Sequence, residues 1–148
     1  MKRFARGRGP YKNYIAAGVG GSYISLYKEG LWVGTGLYKP EPASLRRLRA
    51  AIAADGSGKA LVKVVSSLAR KGYKVDTHER VASAPKGYDG DHPRIDLLRM
   101  KDIFAGKLFA PSTLSTRKVL DRVIVVIEDV QPLHAWIRTH VGQRSAET

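Results

Sequence analysis

Apolar and polar positions in residues 21–42 form a pattern that predicts a β-hairpin followed by a helix. Apolar side chains line both arms: Tyr23, Ile24, Leu26 and Tyr27, then Leu31, Trp32, Val33, Leu37 and Tyr38. Lys28 and Glu29 separate the arms together with Gly30, since glycine accepts the positive φ of a tight turn. This hairpin is the predicted centre of a mostly antiparallel sheet, with a first strand expected within residues 11–19.

Two helices are predicted after the hairpin. In residues 42–54, Leu45, Leu48 and Ile52 fall on one face, and Pro42 suits a first helical turn. The second helix is expected to have Ser57 as its N-cap and to end at Gly72. Its apolar positions form one buried stripe, and they are Leu61, Val64, Val65 and Leu68.

The second half of the chain predicts strands and helices in alternation. Residues 73–83 resemble an exposed strand, 93–100 a short helix and 103–109 another strand. A long helical region is expected from about Ser115, and Pro132 should kink or restart it. Its predicted buried stripe holds Val119, Leu120, Val123, Ile127 and Val130.

These elements predict an α+β fold with helices packed on one face of the sheet. A length of 148 residues favours a single domain covering residues 1–148. Within it, residues 1–12 are expected to form an irregular basic arm, and residues 142–148 a disordered tail.

Charge and composition narrow the functional classes. The chain carries 26 Lys and Arg against 13 Asp and Glu, a formal charge of +13, and residues 1–50 hold ten basic and two acidic side chains. Such a charge attracts polyanions, although a solvated basic surface explains it equally simply. With no cysteine there is no disulfide, thiolate metal site or cysteine nucleophile. The longest aliphatic run, residues 123–127, is too short to span a membrane, and we expect a cytoplasmic protein that does not associate with membranes.

Several short motifs, in the same order along the chain, resemble one bacterial family. They are Arg3-Phe4, Pro10-Tyr11-Lys12, Gly36-Leu37-Tyr38 with Pro40-Glu41-Pro42, Pro85-Lys86-Gly87-Tyr88 with Asp91-His92-Pro93, and the DLLRMKD of residues 96–102. The chain resembles the family called domain of unknown function 2461. The resemblance implies an α+β domain and supplies no reaction, because the family has no agreed activity.

The chain departs from the family pattern in two places. Family members look longer at the N-terminus, so this chain is expected to be clipped, and whether Met1 is the true start stays open. A lost helical layer would expose Trp32, which predicts self-association into a homo-oligomer or marginal stability. Where the family has an acidic or amide residue followed by lysine, this chain has Gly7 and Arg8. A degenerate, inactive copy is therefore one alternative.

Three polar residues are candidates for catalysis: Asp91, His92 and Asp96. A carboxylate–histidine pair transfers protons, and with neighbouring acids such residues bind divalent ions. The structural alternative is that Asp91, His92 and Pro93 form a turn entering a helix. The sequence holds no complete catalytic, cofactor or metal signature, so no metal or cofactor is predicted.

The leading functional prediction is a small-anion pocket for phosphate or carboxylate, with its enzymatic nature left open. Its proposed ligands lie in the basic arm, and they are Arg3, Arg8, Tyr11 and Lys12. The alternative is a nucleic-acid-binding module that uses the arm together with Arg46, Arg47 and Arg49 of the first helix. Stacking of RNA bases would also require Tyr23, Tyr27 and Tyr38 to face solvent.

Overall fold

The computed structural model describes residues 21–142 and the backbone of residues 17–19. In this part of the chain the strands are β1 (Ala17–Val19), β2 (Ser22–Tyr27), β3 (Gly30–Leu37) and β4 (Ile103–Phe109). The α-helices are α1 (Pro42–Ala53), α2 (Asp55–Arg70), α3 (Ile95–Leu98) and α4 (Val119–His140), with a 3₁₀ turn over Pro111–Ser115. The predicted α+β class is confirmed.

The hairpin is confirmed as the centre of the sheet. The strands lie in the order β1-β2-β3-β4, and β2 pairs antiparallel with both β1 and β3. Tyr27 pairs with Gly30 across the turn, and Gly30 has a φ of 138°, a conformation that L side chains rarely adopt. Residues 28 and 29 therefore form the tight connection that the sequence predicts.

Two compact units are present, and each is described separately. The first contains described residues 17–19, 21–35 and 106–131, and the second contains 36–105 and 132–142. Whether residues 1–148 form one domain, and whether the helices pack on one face, stay predictions. The basic arm and residues 143–148 lie outside the described residues.

The first unit has a sheet with two different faces. Val33 and Thr35 are fully or almost fully buried on one face. Tyr23 and Tyr27 lie on the other face and are 48% and 40% exposed. On β4, Gly106 leaves room for the ring of Trp32, which a Cβ at this position would meet.

The second unit is built on α1 and α2, which pack against each other. Leu48, Ile52, Leu61 and Leu68 are at most 1% exposed, so both helices bury the predicted apolar faces. α1 begins at Pro42 as predicted and ends at Ala53, one residue before the predicted end. The predicted end of α2 is also confirmed, since Gly72 has a φ of 92° directly after its last turn.

The predicted N-cap of α2 is wrong. Ala54 is the N-cap, and α2 begins at Asp55 with a single residue between the two helices. Ser57 instead donates its hydroxyl hydrogen to the carbonyl of Ala51 at 2.6 Å. A serine hydroxyl satisfies a carbonyl at a helix C-terminus as readily as an N–H at an N-terminus, so its presence alone does not fix the boundary.

Residues 73–83 do not form the predicted strand. The strand-type pairing of this segment is limited to isolated bridges, where Asp76 pairs with Phe104 and Arg80 with Met100. Its alternation is nevertheless real, because Tyr73 and Val75 are 3% and 7% exposed. The segment is extended and half-buried without continuous strand pairing.

Three helix details also differ from the predictions. The short helix starts at Ile95, after Arg94, and not at Pro93. The long helix α4 continues through Pro132 and does not restart there, although proline supplies no N–H to the preceding turn. Leu120 is 65% exposed, and Val126, at 2%, belongs to the buried face in its place.

Candidate functional site

The catalytic candidates Asp91, His92 and Asp96 are not brought together as a reactive group. The backbone N–H of Asp91 donates to Oδ1 of Asp89 at 2.9 Å, which is an Asx turn. His92 Nδ1 accepts the backbone N–H of Arg94 at 3.0 Å. Asp96 is exposed, and its backbone carbonyl accepts Nη1 of Arg80 at 3.1 Å. Among the described residues no hydrogen bond or ion pair joins these three side chains.

The loop that holds these candidates instead positions a buried arginine. Arg94 is 7% exposed. Its Nε donates to the carbonyl of Ile52 at 2.6 Å, and its Nη2 donates to the carbonyl of Ala53 at 2.9 Å. Nη2 also lies 3.3 Å from Oδ1 of Asp55. The guanidinium thus satisfies carbonyls at the C-terminus of α1, which have no helical donor of their own.

The arginines of α1 are largely engaged within the second unit. Nε of Arg47 donates to the carbonyl of Val141 at 2.9 Å, and its Nη2 donates to Oγ of Ser44 at 3.0 Å. Nε of Arg49 donates to the carbonyl of Leu98 at 3.0 Å. Arg46 is exposed. Two of the three predicted phosphate contacts therefore hold backbone carbonyls.

A histidine–aspartate pair lies in the same unit. Asp102 is 3% exposed, immediately before β4. Its Oδ2 lies 2.7 Å from Nδ1 of His78. Its Oδ1 accepts the hydroxyl of Thr77 at 2.6 Å and the backbone N–H of His78 at 2.8 Å. A buried carboxylate is thus held by three donors from one short segment.

These hydrogen bonds determine the protonation of the pair. Burial raises the pKa of the Asp102 carboxyl, but the hydrogen bonds from Thr77 and His78 outweigh it and hold the pKa below its ordinary value. A carboxylate can only accept, so the proton of a neutral His78 ring lies on Nδ1. The lone pair on Nε2 is then free to accept a proton.

Two aromatic rings contact the imidazole. The ring centroids of His78 and Phe104 are 4.5 Å apart at an interplanar angle of 37°. Tyr38 meets His78 edge to face, with centroids 5.2 Å apart. The His78 side chain is still 57% exposed. The ring is therefore oriented by its neighbours and open to solvent.

A lysine lies next to this group. Nζ of Lys39 is 5.4 Å from the ring centroid of Tyr38, a cation–π contact. Lys39 also has a φ of 43°, in the left-handed region that non-glycine residues rarely occupy. We call Tyr38, Lys39, His78 and Asp102 the His78 site.

The other cations of this region are paired. Lys74 and Arg80 lie 3.5 Å and 3.4 Å from Asp76, and Lys101 lies 3.3 Å from Glu79. Lys39 makes no ion pair with any described carboxylate. Its charge is thus the one in the His78 site that is available to an incoming anion.

Sequence reasoning missed this site. Neither His78 nor Asp102 is among the catalytic candidates that the sequence predicts. The two are 24 residues apart, on segments whose pairing is not continuous. The one local signal is Asp76 followed by Thr77, because Asp and Thr side chains commonly hydrogen-bond backbone groups a few residues away in turns.

The predicted anion ligands Arg3, Arg8, Tyr11 and Lys12 lie outside the described residues. Within residues 21–142 and the short β1 segment, no group of three or more histidine and carboxylate side chains is placed to hold a metal ion. In the same part of the chain, no helix combines the length and the apolar character needed to cross a membrane.

The fold and the site define an α+β protein with an oriented, solvent-open histidine held by a buried aspartate. The chain belongs to the DUF2461 family, described as a conserved hypothetical protein, whose model matches residues 2–136. Neither the curated proteins nor the solved structures gave a match. The family resemblance predicted from the motifs is confirmed, and the family itself has no assigned function.

Proposed function

We propose that this protein binds a small anion and transfers a proton to or from it at the His78 site. The observation that carries the proposal is the hydrogen bond of 2.7 Å between Asp102 and Nδ1 of His78. This bond holds the ring and its tautomer in the arrangement that general bases require.

The chemistry follows from the tautomer. Nε2 of His78 accepts a proton from a hydroxyl group or a water molecule, and the resulting imidazolium is stabilised by the Asp102 carboxylate next to it. Asp102 stays ionised because its pKa is lowered, and it does not take the proton itself. In the reverse direction the imidazolium returns the proton as a general acid.

Lys39 supports an anionic substrate. Its ammonium group is unpaired with the described carboxylates and lies beside the ring of Tyr38, which contacts His78. A phosphate or carboxylate held by Lys39 would lie near Tyr38, the ring that contacts the imidazole. The formal charge of +13 favours the approach of any anion. Arg3, Arg8, Tyr11 and Lys12 stay predicted anion ligands.

The alternatives have less support from the described residues. The nucleic-acid module predicted on α1 needs free arginines, but Arg47 and Arg49 donate to backbone carbonyls. A degenerate copy would be expected to lose its reactive groups. The His78 site has a complete set of hydrogen bonds in this chain.

The tautomer is the first test of the proposal. Long-range ¹H–¹⁵N spectra of the imidazole should place the proton of neutral His78 on Nδ1. Asp102→Asn can donate its amide hydrogen to Nδ1, so the proton should move to Nε2. A wild-type ring with its proton on Nε2 contradicts the proposal whether or not a substrate is known.

Ligand binding is the second test. Thermal melts with inorganic phosphate, small carboxylates and nucleotides should show stabilisation, about 2.7 kcal/mol at a hundredfold excess over Kd. His78→Gln and Lys39→Asn should each weaken binding about tenfold, whereas His92→Gln, a histidine outside the site, should not. Equal losses in all three variants would contradict the assignment to this site.

A further inference from the structure

We propose that the open face of the sheet in the first unit binds single-stranded nucleic acid through Tyr23 and Tyr27. This surface is independent of the His78 site, which lies in the other unit. We call Tyr23, Tyr27, Trp32 and Leu108 the aromatic face.

The aromatic face is formed by strand geometry. Tyr23 and Tyr27 lie on the same side of β2 because side chains alternate along a strand. The register places Ser25 between them and opposite Trp32, so Trp32 occupies the same face on β3. Gly106 of β4 lies against the Trp32 ring, and a side chain there would displace the ring. Leu108, two residues further along β4, faces the same side of the sheet as Gly106.

The spacing of the rings suits bases in an extended strand. Residues four apart on a strand are about 13 Å apart, and Trp32 lies midway between the two tyrosines on the neighbouring strand. Successive rings are thus separated by roughly 8 Å, a distance that a single nucleic-acid strand spans with one unstacked nucleotide per ring. The face bears stacking platforms without base-reading groups, which favours binding with little sequence preference.

Exposure distinguishes this face from a core surface. Tyr23 is 48% exposed, Tyr27 40% and Leu108 54%, and Trp32 is half-buried. Tyrosines of RNA-binding sheets need this exposure to stack on unpaired bases. Tyr23 and Tyr27 therefore face solvent, as the predicted stacking on RNA bases requires.

The net charge of the chain indicates which partner the aromatic face binds. A second copy of the chain would bring two formal charges of +13 together, whereas a polyanion is attracted by the same charge. The five basic residues within 1–12, with no acid among them, precede β1, the strand that pairs with β2. These facts favour nucleic acid over self-association.

The test measures fluorescence anisotropy of labelled U20 and dT20, which lack secondary structure, with the full chain. Binding is expected for both strands and should weaken as salt rises, since cations are released from the phosphates. A duplex of the same length should bind more weakly, because its bases are not free to stack.

Paired variants locate the surface. Tyr23→Ala and Tyr27→Ala should each weaken binding roughly 5- to 150-fold, while Tyr23→Phe and Tyr27→Phe should bind as the wild type does. Leu26→Ala is the matched control, because Leu26 is 43% exposed on the same strand but faces the other side. It should leave the affinity unchanged, and melts of every variant confirm folding.

Three results would overturn the proposal. The first is oligonucleotide binding that both alanine variants retain, which would indicate charge attraction alone. The second is a duplex that binds as tightly as U20. The third is that no oligonucleotide binds and light scattering instead shows a dimer, which the Tyr23→Ala and Tyr27→Ala substitutions dissociate. The aromatic face would then be an interface between copies of the chain.

Discussion

Two charged side chains are buried in the described part of the chain, and they have opposite consequences. Arg94 donates to the carbonyls of Ile52 and Ala53, which never titrate, and its Nη2 lies 3.3 Å from the exposed carboxylate of Asp55. Asp102 accepts from Thr77 and from His78, so its charge is matched in part by a ring that can bind and release a proton. Both groups satisfy the rule that buried charges need partners.

The difference lies in what the partners can do. The carbonyls at the end of α1 hold the side chain of Arg94 in one position, and the Arg94 guanidinium stabilises the fold by donating to them. A histidine side chain, in contrast, can take up and release a proton between about pH 5 and 8, so it can exchange a proton with a bound molecule. A buried charge is thus a better indication of function when its partner is an imidazole that is open to solvent than when most of its partners are backbone carbonyls.

Removing Arg94 should have the largest effect. Arg94→Ala leaves two carbonyls of α1 without a donor in a buried setting, so the free energy of unfolding should fall by about 3–5 kcal/mol. Urea denaturation measures the change. Arg94→Lys keeps the charge without the planar fork and should recover less than half of the loss. A loss below about 1 kcal/mol in Arg94→Ala would show that the guanidinium is not structural.

Gly58 is packed against Arg94, so replacing it by alanine should change stability in the opposite direction to the usual glycine-to-alanine substitution in a helix. Replacing glycine by alanine inside a helix normally stabilises it by up to about 1 kcal/mol. A Cβ at Gly58 would meet the guanidinium of Arg94 and the carbonyl of Ile52, so Gly58→Ala should cost about 2 kcal/mol. Gly56, in the same helix, has nothing within 4 Å of such a Cβ, and Gly56→Ala should be neutral or stabilising. Thermal melts of both variants should therefore shift in opposite directions.

The parts of the fold that the sequence predicted depend on interactions between residues close together in the chain. The hairpin turn at Gly30, the start of α1 and the end of α2 at Gly72 depend on neighbours within a few residues, and the sequence predicted all three. The α+β class followed from them.

The buried charges depend on distant partners, and the sequence predicted neither. Arg94 meets α1 across 41 and 42 residues, and His78 meets Asp102 across 24. Asp91 and His92 were predicted as catalytic candidates because they are adjacent. Adjacent side chains in a turn, however, commonly stabilise the turn itself, as His92 does by accepting the backbone N–H of Arg94.

Lowering the pH should distinguish the contribution of Asp102 to stability from that of Arg94. Asp102 has a lowered pKa in the folded state, so its contribution to stability is complete above the ordinary carboxyl pKa of about 3.9 and is lost as the pH falls through the lowered value. Asp102→Asn should cost about 1–3 kcal/mol at neutral pH, because hydrogen bonds to a charged group are lost. The gap between variant and wild type should narrow below pH 4.

Asp76 is the control for this measurement. Its pKa is lowered chiefly by the N–H of Thr77, against a smaller opposing effect of burial, and Lys74 and Arg80 add to the lowering. Asp76 is more exposed than Asp102, so Asp76→Asn should change the acid limb of the stability curve less. Tm measured from pH 2.5 to 7 tests both, and a gap for Asp102→Asn that stays constant would contradict the lowered pKa.

Lys39 gives the smallest effect and connects stability to the His78 site. A lysine at a φ of 43° is strained by about 1 kcal/mol, which glycine does not experience. Lys39→Gly should therefore raise the free energy of unfolding by about 0.5 kcal/mol, after allowing for the more flexible unfolded chain, whereas Lys39→Ala should bring no gain. Both variants remove the ammonium beside Tyr38, so both should lose anion binding alike. If Lys39→Gly gains stability and weakens anion binding as Lys39→Ala does, the lysine serves the site at a cost to the fold, which is the same distinction that separates Asp102 from Arg94.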